Sequence, residues 1–196
     1  MVEGKMTITL DQITRFLSAF ERKELRKPHL KNAAVLMLFY PKAEGLHVLL
    51  TKRTEDVEHH KGQISFPGGS RDEKDENLVR TALRESEEEI GLPHNAVRVL
   101  GMFDDFETPS GFAITPVVAY APCLPPLSQN TIEVAEILEV PVSLFLDKRN
   151  ERIEKRDRLG TVLDVYFYRF GAYEIWGATA AILRAFLYAL RDSRGS

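Results

Sequence analysis

The chain has almost nothing with which to cross-link itself. One cysteine, Cys123, stands among 196 residues, so no internal disulfide can form and a reducing, cytoplasmic setting is expected. Beside the Leu124-Pro125-Pro126 turn, Cys123 reads as a small packing residue rather than a nucleophile. No apolar run is long enough to span a bilayer, and no stretch has the charged-then-apolar pattern of an export leader. The last five residues, Asp-Ser-Arg-Gly-Ser, are not a Ser-Lys-Leu peroxisomal address. A surplus of one sign is also missing. With 26 Lys+Arg against 29 Asp+Glu, the net charge of −3 gives no global field that would gather nucleic acid or anionic lipid. A polyanionic small-molecule substrate would have to be met by local cations and metal. No repeat or linker divides the chain. What remains, 44% hydrophobic and 28% charged, is one ordinary domain able to bury a sizeable core.

Within it, residues 66–92 organise the rest. Phe66-Pro67-Gly68-Gly69 makes a turn, and a helix follows. Asp75 or Asn77 can cap its start, and Gly91 can end it in a left-handed conformation. At about 100° per residue, Glu88 and Glu89 lie roughly 60° and 40° to either side of Glu85, so three carboxylates share one face. Glu87 points about 160° away, toward a solvent side shared with Arg80 and Arg84. Val79, Leu83, Ser86 and Ile90 form the sector that faces the core. Like charges at these spacings repel by about 0.2–0.5 kcal/mol per pair. Acids in the last turn also meet the negative end of the helix dipole. A hard divalent cation, Mg²⁺ or Mn²⁺, would turn both penalties into attraction.

These residues resemble the Nudix box, a Gly, five residues, a Glu, seven residues, then Arg-Glu-apolar-x-Glu-Glu-x-Gly-apolar. Arg84, Glu85, Glu88, Glu89, Gly91 and Leu92 match in register. Ser86 departs from the pattern where an apolar residue is usual. Asp75 stands after the five-residue gap, and the loop to Arg84 is one residue longer than the strict form. The resemblance implies an α/β/α sandwich with a mixed β-sheet. It also implies Glu85, Glu88 and Glu89 as metal ligands, with the Gly69 carbonyl adding one, and Arg84 orienting the first glutamate.

Upstream, Leu49-Leu50-Thr51 and Gly62-x-x-x-Phe66-Pro67-Gly68-Gly69 resemble the coenzyme A diphosphatase branch of that family, as does the run from His60 to Gly69. Glu58 stands where some forms carry Arg, leaving Arg53, His60 and Lys61 as the candidate cations for phosphate. Gly62, Phe66 and, near the C-terminus, Thr179 are further candidate substrate contacts. Of the acids in residues 132–141, Glu133 takes the register of a loop glutamate that serves relatives as metal ligand or general base, with Glu136 the alternate. The implied reaction is hydrolysis of coenzyme A to 3′,5′-ADP and 4′-phosphopantetheine. The rivals are a diphosphatase for ADP-ribose or NADH and a catalytically silent binding module.

The remaining elements follow from pattern. Residues 9–26 read as an amphipathic helix ended by Pro28, with Leu10, Ile13, Phe16, Leu17 and Phe20 as its stripe. Residues 33–40 and 46–53 read as a hairpin and residues 97–103 as a strand. Residues 112–120 read as a strand that Pro116 places at an edge or bulge. Residues 148–157 read as a charged, mobile loop, 161–170 as a strand, and 173–190 as a helix. Residues 1–32 would then be a helical extension packed on a domain of residues 33–192. A homodimer is allowed, through the first helix or the strands flanking the box.

Overall fold

The computed structural model describes residues 7–54, 62–158 and 161–193. Helix α1 (Leu10–Ser18) opens with a capping box, Thr9 and Gln12 exchanging side-chain-to-backbone hydrogen bonds. It ends eight residues earlier than expected. Residues 22–25 are instead held by two acids. Lys23 N donates to Asp104, and Leu25 N and the Arg22 guanidinium donate to Asp105. Those acids outbid further helical turns, and Pro28 is not the terminator.

Strands β1 (Lys31–Lys42) and β2 (Gly45–Arg53) form the expected hairpin. Two short strands, β3 (Ile64–Ser65) and β4 (Gly68–Ser70), then wedge between them, β3 pairing with β2 and β4 with β1. Helix α2 (Leu78–Ile90) follows, capped by Asn77 and ended by Gly91 at φ 65°. Next come β5 (Arg98–Met102), β6 (Phe106–Glu107), β7 (Phe112–Tyr120), β8 (Val134–Pro141) and a short helix α3 (Ser143–Leu146). Strand β7 runs parallel to β1, whereas the other pairs are antiparallel, so the sheet is mixed.

Pro116 lies in the middle of β7, and β7 is no edge. On one side it pairs with β1, and on the other with β5 and β6 in turn. The proline falls at the changeover between β5 and β6. There its carbonyl accepts from Phe103 N and no partner awaits the missing N–H.

A second, three-stranded sheet was not expected: β9 (Glu151–Arg158), β10 (Thr161–Phe170) and β11 (Tyr173–Trp176). Residues 148–157 are therefore largely strand rather than mobile loop. Their charges pair with one another: Arg152 and Arg156 meet Glu154, Arg152 meets Glu174, and Arg152 lies 4.0 Å over the Phe167 ring. Tyr173–Trp176 likewise pairs with β10 instead of opening the last helix, so α4 starts at Gly177 and runs to Asp192.

Two cores form on opposite faces of the mixed sheet. One buries Ala82, Leu83 and Ile90 of α2 against β1 and β7. The other gathers Ile13 and Leu17 of α1 with Ile182, Leu183, Phe186, Leu187 and Leu190 of α4. The result is the expected α/β/α sandwich. Ile13 and Leu17 of the α1 stripe are buried in it, and Phe16 and Phe20 are partly buried against the same core. Among the described residues no helix is long and apolar enough to cross a membrane.

Candidate active site

The site is built where α2 crosses the β3–β4 wedge. Gly68 sits at φ 152°, and a Cβ there would lie 2.4 Å from the Ala34 carbonyl, so only glycine lets this turn rest on β1. At Gly69 a Cβ would lie 2.5 Å from the Glu85 carboxyl, so the missing side chain is the space the helix carboxylate uses.

Arg84 does not point to solvent. Its long side chain folds back so that Nε and Nη2 each sit 3.0 Å from Asp75, while Nη2 also donates to the Ser70 carbonyl. Nη1 spans Glu85 at 2.8 Å and Glu88 at 3.0 Å. Asp75, read above only as a cap or an early box acid, is buried and also accepts from Thr81 and from Asp72 N. The Arg84 guanidinium, backed by these donors, holds its carboxyl well below the usual carboxylate range. Its position six residues after Gly69 was the available signal. Ser86, the unusual box residue, is fully buried and its hydroxyl is satisfied by the Ala82 carbonyl at 2.7 Å.

At the other end of the helix the charges are not settled. Glu89 is 4% exposed. Its nearest donors are Gly68 N at 3.3 Å and Arg53 Nη1 at 3.8 Å. Burial pushes its carboxyl up to about 8; Arg53 and the Gly68 amide oppose that, while Glu85 and Glu133 add to it. Glu85 is also raised, by burial first, against the pull of Arg84. Arg53 Nε is buried and finds no partner among the described residues.

Glu133 joins this group because its loop is braced on both sides. Asn130 N donates to the Glu89 carbonyl and Ser128 N to the Ile90 carbonyl, closing orphan acceptors at the end of α2. Thr54 donates its hydroxyl to Ile132 O at 2.8 Å and its amide to Glu133 O at 3.0 Å. A register shift between Lys52 and Arg53 leaves one extra residue, Ala135, on β8. None of this bracing is visible as a sequence pattern.

The other candidates lie elsewhere. Glu136 accepts from Tyr173 OH at 2.5 Å, away from the helix acids, because it sits on β8 opposite Lys52 rather than Arg53. Phe66 is 2% exposed and belongs to the core. Thr179 is buried, with its hydroxyl bound to Ile64 O at 3.1 Å, so it pins β3 rather than opening toward solvent. Gly62 turns at φ 64°. His60 and Lys61 lie outside the described residues. A cleft of about 540 Å³ is lined by Arg22, Glu24, Lys27 and Asp105 rather than by these acids; Arg22 pairs with Asp105 and Glu24, and Lys27 with Glu107.

The donor set suits a hard divalent cation: carboxylate oxygens around a glycine turn, two of them raised by burial and mutual repulsion. Among the described residues no three acidic or histidine side chains close on one point in this conformation.

Comparison with known proteins agrees with this geometry. A family model described as the NUDIX domain matches residues 29–155. "Uncharacterized Nudix hydrolase NudL" of Photorhabdus laumondii subsp. laumondii is 40% identical over 153 residues, 78% of this chain and 81% of that protein. The protein of the same name from Yersinia enterocolitica is 38% identical over 185 residues, 89% of this chain and 93% of its own length. The crystal structure of a MutT protein from Methanosarcina mazei Go1 shares the fold, with a TM-score of 0.54 at 18% identity over 88% of this chain and 100% of that one. The chain belongs to the Nudix family and is a hydrolase of diphosphate bonds.

Proposed function

We propose that the chain hydrolyses the diphosphate of coenzyme A or its derivatives, using Mg²⁺ or Mn²⁺, to 3′,5′-ADP and 4′-phosphopantetheine or its acyl form. The observation that carries this reading is the meeting at the end of β2. Arg53, which closes the Leu49-Leu50-Thr51 strand, approaches Glu89, while Glu133 bears electrostatically on both Glu85 and Glu89. The segment that resembles the coenzyme A branch thus runs directly into the carboxylate cluster.

In this reading Glu85, Glu88, Glu89 and the Gly69 carbonyl hold the cation. When bound, it neutralises the diphosphate and polarises phosphorus for in-line attack by water. Arg84, anchored on Asp75, positions Glu85 and Glu88 without touching substrate. Glu133 takes the proton from the attacking water. Arg53 exchanges Glu89 for a phosphate oxygen, and His60 and Lys61 add charge ahead of the Gly62 turn. Phe66 and Thr179 serve by packing the wall behind the turn. Residues 33–192 form the catalytic domain and residues 1–32 a helical extension, in a reducing, cytoplasmic setting.

The box acids do not themselves read the substrate, so ADP-ribose and NADH are the competing substrates. Incubation with each of the three compounds and Mg²⁺ or Mn²⁺, with products resolved by chromatography, separates them. The expected result is 3′,5′-ADP from coenzyme A, lost in Glu88→Gln. Cleavage of ADP-ribose or NADH alone would keep the diphosphatase and sink the substrate.

A further inference from the structure

The β9–β10 ribbon carries more apolar surface than it can cover. Strand β11 pairs only with residues 167–170 of β10, so the earlier half of β10 has just β9 beside it. Among the described residues β9 pairs with β10 alone and is an edge. Among the described residues four large hydrophobic side chains are exposed. Three of them, Ile153, Val162 and Leu163, lie on this ribbon. A two-stranded ribbon is marginal in water, and an eight-residue edge strand without proline presents a row of open backbone donors and acceptors.

We propose that β9 pairs antiparallel with β9 of a second copy of this chain, on a two-fold axis through Ile153. Such an axis stands normal to the sheet and preserves its faces. It sets Ile153 against the partner's Ile153 and Arg152 against the partner's Glu154; Glu151, which falls opposite Lys155 in this register, stays on Arg184 and Tyr168 of its own chain. By symmetry the charged pair occurs twice. Centring on Arg152, Glu154 or Lys155 instead would oppose a charge to itself at the axis. Among these four central positions Ile153 alone gives an apolar centre flanked by opposite charges. Arg152 is half-exposed, lies over Phe167 and pairs in its own chain with Glu154 and Glu174, so the second copy's Glu154 would join a charge cluster already formed. Of the α1 stripe, one of the surfaces first considered for a dimer, Ile13 and Leu17 are buried in the core and Phe16 and Phe20 pack against it.

The test uses the full chain. Light scattering across a dilution series should show a dimer that dissociates on dilution. Arg152→Glu, which faces Glu with Glu, should give monomer at every concentration. Arg152→Glu with Glu154→Arg should restore the dimer. Independently, in a Cys123→Ser background (Cys123 is exposed and would cross-link on its own), Ile153→Cys should form a covalent dimer on oxidation. Directly opposed Cα atoms of an antiparallel pair lie about 4.5–5.5 Å apart, within disulfide reach. Val162→Cys, away from the axis, should not cross-link. Hydrolase activity of each variant reports its fold, and the cysteine pair decides the matter if Arg152→Glu fails to fold. A wild type that is monomeric at all concentrations would overturn the proposal. So would a dimer that survives Arg152→Glu while Ile153→Cys stays uncrosslinked.

Discussion

The two ends of the box helix hold buried carboxylates in opposite conditions. At the first turn Asp75 has its oxygens filled by Arg84, Thr81 and a backbone amide, and it stays ionised well below the ordinary range. At the last turn Glu89 is equally buried but has one long amide contact and a distant arginine, and its carboxyl rises to about 8. A protein selected only for stability would treat the two alike. The first end is a finished anchor and the second is short of positive charge, which is what the proposed cation site requires.

Breaking the unfinished end should have the largest effect. Glu89→Gln is expected to lower kcat by about 10²–10³, the scale of removing one charge-stabilising group. At pH 8 without divalent cation, its melting temperature should equal or exceed that of the wild type. Loss of activity together with a large fall in melting temperature would instead make Glu89 a structural residue.

The finished end should fail differently. Asp75→Asn removes the two-point anchor of half-buried Arg84 and leaves it only Glu85 and Glu88 as counter-charges, at a cost of about 2–4 kcal/mol in denaturant unfolding. Activity should fall by about 10–100-fold through misplacement of Glu85 and Glu88. If stability is unchanged, the anchor reading is wrong.

The same contrast predicts two pH dependences of opposite sign. The folded value of Glu89 lies above its unfolded value of 4.5. Folding therefore favours its protonated form, and metal-free stability should fall as pH rises from about 4.5 to about 8, by a few kcal/mol. Asp75 is shifted the other way. Its contribution is present above the unfolded value of 3.8 and is lost as pH falls below it. Saturating Mg²⁺ or Mn²⁺ should flatten the first slope and leave the second. A metal-free stability that is level between pH 5 and pH 8 would remove the basis for the contrast. The smallest effect belongs to the cap. Asn77→Ala should cost about 1 kcal/mol with kcat unchanged.

What could be read from the sequence divides along physical lines. The box helix, its caps and its acidic face were legible because capping and helical periodicity are local. Glu133 was singled out by register, whereas the bracing by Thr54 and Asn130 that sets its loop beside α2 joins segments far apart in sequence. The helical wheel set Arg84 toward solvent because it follows Cα directions, whereas a long side chain goes where its partners are: Glu85, as the resemblance implied, and Asp75, which the loop brings there. Phe66 and Thr179 match a motif yet are buried, so their positions in that motif reflect packing as much as contact. Strand β9 was missed because its stabilising partners are other charges and a cross-strand aromatic, which leave no apolar alternation to read.

The central claim is that burial raises the Glu89 carboxyl to about 8, so that a divalent cation bound there would displace a proton. Calorimetric titration of Mn²⁺ at pH 6 and pH 8, in buffers of different ionisation enthalpy, tests it most directly. The account predicts tighter binding at pH 8 and release of about one proton near pH 7, both abolished in Glu89→Gln. Binding of equal strength at the two pH values, with the same proton count in wild type and Glu89→Gln, would contradict it.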